Sequence, residues 1–208
     1  MTVLQFEHVY LQRGSFLLKD VSFQVEEGAS AALMGRSGAG KTTLIHLMGN
    51  AVCADAGRIT YFGKELYENE KEIRRNMSVM YDVPNFNTEL RAKRLATEIR
   101  RFEPWFDMEF FVQNMDEMGM SLHKRVKHFS KGAQKKYMLL LALCRQPRLL
   151  VMDEPTSGLD EQSRMELWKM IQEYKQNTPL TVVFSTHNPM DVEQMQAQTI
   201  WIENGGLV

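Results

Sequence analysis

The sequence is short of cysteine, of membrane-length apolar runs and of any excess of one charge, and each shortage narrows what the chain can be. Its 208 residues hold two cysteines, Cys53 and Cys144, far apart and without CxxC spacing, so a reduced intracellular setting is expected. The longest apolar run, "YMLLLALC", falls far below the about 20 residues needed to cross a bilayer. The opening "MTVLQFEHVY" has no basic stretch ahead of an apolar run and does not read as a signal peptide. Lys and Arg total 25 against 26 Asp and Glu, a net charge of −1, which gives no basic surplus for nucleic acid and no acidic tail. A soluble chain without repeat, low-complexity tract or linker is expected.

A length of 208 residues suits one α/β domain with a small subdomain, and the 15 methionines suit adaptable core filling. "VLQFEHVY" and "DVSFQVEEG" read as half-buried strands, and "GRITYFGKEL" as a further edge element. Four apolar runs, "ASAALMG", "MSVMYD", "RLLVMDE" and "TVVFSTH", read as strands buried on both faces of a parallel sheet. Helical stretches over 41–50, 133–145 and 161–176 make a βα alternation. The charged and aromatic segment 84–130 is expected to be a helical subdomain inserted between two strands, with Phe102, Trp105, Phe106 and Phe110 at helical intervals. The end, "TIWIENGGLV", reads as a strand, an Asn204-Gly205 hairpin turn and a stub.

Chemistry concentrates in three places. "GRSGAGKTT", Gly35 to Thr43, fits G-x-x-x-x-G-K-[ST] between an expected strand and an expected helix. Over Gly35, Arg36, Ser37, Gly38, Ala39, Gly40, Lys41, Thr42 and Thr43 the backbone N–H groups would curl around phosphate, helped by the helix N-terminus. Lys41 would reach the β- and γ-phosphates and the Thr42 hydroxyl would sit on Mg²⁺. In "RLLVMDEPTSGLD" a buried strand delivers Asp153 and Glu154 to its C-terminal end, where open α/β sheets bind ligands. Asp153 suits the water shell of Mg²⁺, and Glu154 suits a general base on an attacking water. "TVVFSTH" ends in His187, either a structural histidine or a hydrogen-bonding partner for the γ-phosphate and attacking water. A fourth stretch, "HFSKGAQKKYMLLLALC", opens a helix with Ser130 as N-cap and no acidic residue in its first turn, where the dipole favours one.

The ordered set "GRSGAGKTT", "FSKGAQKK", "LLVMDEPTSGLD" and "STH" resembles the ATP-binding cassette of ABC transporters over essentially the whole chain. The resemblance implies a P-loop NTPase fold: a mainly parallel sheet flanked by helices, with an antiparallel β subdomain and an inserted helical subdomain. The core and β subdomain would take about 1–83 and 131–208, and the helical subdomain 84–130. It also implies two cassettes paired head to tail around two Mg-ATP. Ser130 and Gly132 would then face the γ-phosphate held by the opposite subunit, and Asp160 would belong to the loop joining the two sites. A separate permease would be docked on the cytoplasmic side of the membrane. The aromatics at 102–111 are then either core or a docking patch for the permease's coupling helix.

Four residues, in three places, depart from the family pattern. Lys131 and Ala133 stand where glycine and glutamine are usual, and Lys131 cannot take glycine-only backbone angles freely, though it could add a cation near phosphate. Asp82 stands where a glutamine is usual and could help hold Mg²⁺ or its water. Arg13, with Tyr10 and Phe16 beside it, falls where an aromatic usually stacks on adenine. The Ser-Lys-Gly signature with that aspartate looks like the ABC-2 branch of drug, lantibiotic and peptide exporters. Two other readings stay open: a non-hydrolysing regulatory subunit, and a cassette ATPase acting on nucleic acid or ribosomes, against which the missing basic surplus counts.

Overall fold

The computed structural model describes residues 1–208 and every side chain except those of Leu66 and Tyr67. In chain order the elements are β1 (Thr2–Arg13), β2 (Phe16–Glu26), β3 (Ser30–Met34), α1 (Lys41–Met48), β4 (Ala56–Tyr61), β5 (Lys64–Glu65), α2 (Leu66–Asn76) and β6 (Met77–Met80). Then come α3 (Ala92–Phe102), α4 (Met108–Glu117), a 3₁₀ turn at Val126–His128, α5 (Lys131–Leu143), β7 (Leu149–Met152), α6 (Glu161–Asn177), β8 (Thr181–Ser185), α7 (Pro189–Met195), β9 (Gln198–Glu203) and β10 (Gly206–Leu207).

Alternation drives the first sheet. Val3, Leu4, Phe6, Val9 and Leu11 of β1 and Leu18, Val21 and Val25 of β2 are buried, with polar residues between them. The strands pair antiparallel with Arg13 opposite Phe16, and β4 and β5 complete the order β2-β1-β4-β5. "GRITYFGKEL" is therefore two strands and a turn.

The second sheet has the order β10-β9-β3-β8-β7-β6, parallel throughout except for β10. Every residue of β3, β7 and β8 is buried, as strands covered on both faces require. Leu33, Val151 and Val183 face α1 and the first sheet, while Ala32, Met152 and Phe184 face α5 and α6. Burial of each Leu, Val or Phe stabilises the sheet by about 1.5–3 kcal/mol. The fold is thus an α/β P-loop NTPase architecture with a second, antiparallel sheet.

Helix α5 serves two cores. Met138, Leu139, Ala142 and Leu143 pack on the parallel sheet, and Tyr137, Leu140, Leu141 and Cys144 pack with α3 and α4. The Tyr137 hydroxyl donates to the Ala92 carbonyl at 2.9 Å. The aromatic run, expected at helical intervals within a helical subdomain, is divided between two helices: α3 ends at Phe102, ahead of Pro104, and Asp107 caps α4 by accepting the Phe110 N–H at 2.9 Å. Phe106 is core, Phe110 leans edge-on against Tyr174, and Phe102 is 83% exposed. Packing therefore accounts for Phe106 and Phe110 but not for Phe102.

Helix α5 starts two residues earlier than the expected 133–145, because Ser130 caps it by accepting the Ala133 N–H at 3.2 Å. Helices α2 and α7 were not expected. α2 has no side-chain cap and a non-helical Asn69 at its kink, so its sequence carries no start signal. Among the described residues, no helix is long and apolar enough to cross a membrane.

Candidate nucleotide-binding site

Strands β3, β8 and β7 are neighbours, so the loops leaving their C-terminal ends emerge side by side. They carry Gly35–Gly40, Thr186–His187 and Asp153–Glu154, the position at which open α/β sheets bind ligands. A cleft of about 720 Å³ lies there, lined by Phe16, Ser37, Gly38, Gly40, Lys41, Thr42, Thr43, Glu154, Ser157 and His187.

Within it, the Lys41 ammonium donates to the carbonyls of Gly35 (2.8 Å) and Arg36 (3.2 Å). Gly40 has φ 116, and a Cβ there would stand 2.8 Å from Phe16 Cζ, so the missing side chain is what lets the phosphate loop pass under the ring. Arg36, Ser37 and Gly38 are exposed at the loop's rim. Ala39 turns the other way: its side chain is in the core and its N–H is donated to the Arg36 carbonyl at 3.1 Å.

The carboxylates are held by serine and histidine. Ser185 Oγ donates to Asp153 at 2.6 Å and accepts the Glu154 N–H at 2.8 Å. The Thr42 hydroxyl donates to the same Asp153 oxygen at 3.2 Å. His187 Nδ1 lies 3.0 Å from Glu154 Oε2, with the histidine 69% exposed and the glutamate 21%. Glu154 itself sits at φ 43, a left-handed conformation that a non-glycine residue adopts at a cost. Behind these loops Asp191, fully buried, accepts hydrogen bonds from Thr156 Oγ1, Thr186 Oγ1 and Trp168 Nε1, each at 2.7 Å.

A magnesium ion fits this donor set. The Thr42 hydroxyl and Asp153 carboxylate are hard oxygen ligands, and Mg²⁺ takes one or two carboxylates while keeping waters and substrate phosphates. Among the described residues no three His, Cys, Asp or Glu converge to hold a metal ion by themselves. Asp82 is placed differently: its Oδ1 accepts a 2.8 Å hydrogen bond from Lys135, whose ammonium also donates to the Glu154 carbonyl at 3.1 Å.

Ser130, Gly132 and Asp160 do not line this cleft. They gather where the N-termini of α5 and α6 meet. Asp160 caps α6 by accepting the Ser163 N–H at 2.8 Å, which holds its carboxyl below the usual range. A Cβ on Gly132 would stand 2.7 Å from Ser163 Oγ and 3.1 Å from Ser163 Cβ, so any other residue there would force Ser163 to shift. Lys131 needs no glycine-only angle: it lies inside α5 with ordinary helical backbone, and its side chain runs across Gly158. Arg13 is exposed at the hairpin tip, and its cross-strand partner Phe16 is the residue at the cleft.

Sequence reasoning missed Ser185, Lys135 and Asp191. Ser185 stood in view as a polar residue inside an apolar run. Lys135 and Asp191 carried no signal, since a lysine or aspartate in a polar stretch of helix is ordinarily solvated.

A family model described as ABC transporter matches residues 18–157 of the chain. A second, described as an AAA domain, matches the shorter stretch 125–190. The ABC transporter ATP-binding protein YtrB of Bacillus subtilis is 29% identical over 194 residues, covering 93% of this chain and 66% of the relative. The bacitracin transport ATP-binding protein BcrA of Bacillus licheniformis is 28% identical, covering 90% and 62%. The chain thus spans somewhat under two thirds of the length of these relatives. A solved ATP-binding subunit of an ABC transporter superposes with a TM-score of 0.78 at 27% identity, covering 99% of this chain and 88% of that one. A nucleotide-free ATP-binding cassette from an ABC transporter reaches 0.82 at 20% identity, covering 100% and 90%.

Proposed function

The chain belongs to the ATP-binding cassette family of ABC transporters, a family of ATPases, and from that premise we propose that it binds Mg-ATP in the cleft between β3, β7 and β8 and hydrolyses it as one half of a cassette dimer. The observation that carries this reading is the division of the site. Lys41, Thr42, Asp153, Glu154 and His187 converge at one cleft, while Ser130, Gly132 and Asp160 gather outside it. A second cassette supplies the missing half: the capped N-terminus of α5 offers N–H groups to the γ-phosphate held by the other copy.

Each residue then has a task. Lys41 exchanges its two loop carbonyls for β- and γ-phosphate oxygens, and Thr42 with Asp153 would hold Mg²⁺, which would offset phosphate charge. Glu154 takes a proton from the attacking water as its oxygen bonds to γ-phosphorus and the bond to ADP breaks. His187 orients Glu154 and is placed to hydrogen-bond the γ-phosphate. Phe16 offers its ring to the base. ATP at both interfaces favours the closed dimer, that closure drives a permease in the membrane, and hydrolysis removes the ligand that holds the dimer closed. Similarity to the bacitracin transport protein supports export of a peptide, antibiotic or drug, with the chain working at the cytoplasmic face.

The test is the Mg-ATPase rate per molecule against protein concentration, with Glu154→Gln in parallel. A rate that rises with concentration and falls about a hundredfold or more in the variant is expected. ATP binding without turnover at any concentration would refute self-sufficient hydrolysis and point to a regulatory subunit or to a partner cassette.

A further inference from the structure

Lys135 is 3% exposed and lies near the end of the stretch "FSKGAQKK", where no role was assigned to it. Its ammonium meets the Asp82 carboxylate at 2.8 Å and the Glu154 carbonyl at 3.1 Å. A buried ammonium is costly unless paired and hydrogen-bonded, so these contacts are what make lysine tolerable here. They also join three separate pieces of chain. Asp82 follows β6 and opens the segment leading to α3, Glu154 follows β7, and Lys135 is on α5.

Glu154 is where such a tie matters. Its φ of 43 is a conformation that costs of order 1–3 kcal/mol and persists when the surroundings over-determine it. Ser185 holds the N–H of this residue at 2.8 Å and Lys135 holds its carbonyl. The carboxylate is therefore aimed by a backbone fixed on both sides. Ser130 stands five residues before Lys135, about 7.5 Å along the same helix at 1.5 Å per residue.

We propose that Lys135 is a positioning residue for Glu154, and that the Asp82–Lys135 pair transmits displacement of α5 and of the segment after β6 to the general base. This rests on the reading of Glu154 as the base. Contact of Ser130 with a second copy's nucleotide moves α5, and one ammonium carries that movement to both Asp82 and Glu154. Asp82 serves the ammonium in this arrangement.

Lys135→Met keeps the stem and removes the charge. The expected result is a fall in kcat of at least about tenfold with KM for ATP within about threefold, since Lys135 does not line the cleft. Lys135→Gln with Asp82→Gln restores most of kcat, because one amide can donate to the Glu154 carbonyl and bond the other amide. Without nucleotide, amide hydrogen exchange in Lys135→Met rises over both 82–86 and 154–158. Parental kcat in Lys135→Met, faster exchange in only one segment, or a double variant as slow as Lys135→Met overturns the proposal. Should Lys135→Met fail to fold, the Gln/Gln variant is compared with Lys135→Gln/Asp82→Ala, which lacks only the tie to residue 82. The latter is expected to be slower, and equal rates overturn the proposal. Glu154→Gln separates the two readings. If it abolishes turnover while Lys135→Met keeps parental kcat, the positioning role alone fails. If it retains turnover, the base assignment fails and the exchange measurement decides the tie.

Discussion

A ring and a missing Cβ decide what stands at the wall of the cleft. Phe16 reaches the cleft because residue 40 is glycine, and because the β1–β2 register sets Phe16 across from Arg13. The sequence put both residues near the base but could not choose between them, since a hairpin's register follows from its tertiary pairing. Phe16→Ala is expected to weaken binding of a fluorescent ATP analogue by roughly five- to a hundredfold, as a base stack is worth about 1–3 kcal/mol. A larger loss in Arg13→Ala than in Phe16→Ala would return the stacking role to Arg13. The same scale bears on the altered signature: a side chain is accommodated at 131, which runs across Gly158, and would crowd Ser163 at 132.

Between elements, Asp191 is the main fastening behind the site. It stands on α7, whose N-cap Asn188 accepts the Met190 N–H at 3.1 Å and whose first residue is Pro189. Its three donors come from the loop after β7, the loop after β8 and α6, so one carboxylate ties the Glu154 and His187 loops to two helices. Asp191→Asn replaces one acceptor oxygen with a donor that faces hydroxyls. The expected cost is about 1–3 kcal/mol of unfolding free energy, measured by chemical denaturation. A change below about 0.5 kcal/mol, the range of neutral surface substitutions, would show that the fastening is redundant.

Across the whole molecule, buried ionisable groups set the alkaline limit. Burial, with a smaller contribution from Asp107, pushes the Cys144 thiol well above its ordinary 9.0. Burial likewise raises Tyr137 above its ordinary 10.0 and Tyr174 to about 12. The folded state keeps these groups protonated, whereas the unfolded chain ionises near the ordinary values. Their contribution is therefore complete below about pH 9 and is lost as pH rises towards 12. The thermal midpoint should fall steadily over that window, and Cys144→Ala should move the onset towards the tyrosine range. An unchanged onset in that variant would mean that another group sets it. On the acid side, Asp160, Glu166 and Glu89 are held below their ordinary values by hydrogen bonds from Ser163, Lys136 and Lys127, so their contribution exists above those values and fades as pH falls.

The order of motifs determined the α/β class and the phosphate loop, because loop glycines, a buried strand ending in carboxylates and a capped helix are local chemistry, legible residue by residue. Helix α2 was not legible, since its start has no capping residue, and neither was the break between α3 and α4, where aromatic spacing masked Pro104. Tertiary structure alone decided what Lys135 and Asp191 do. Each is polar within a polar stretch of sequence, and only packing converts it from a solvated charge into a buried one with fixed partners. The family resemblance already implied that Ser130 and Gly132 face away from the chain's own cleft. Tertiary structure decided the close approach of α5 to α6 at Gly132 and Ser163, because it depends on contacts some 30 residues apart, which no local pattern encodes.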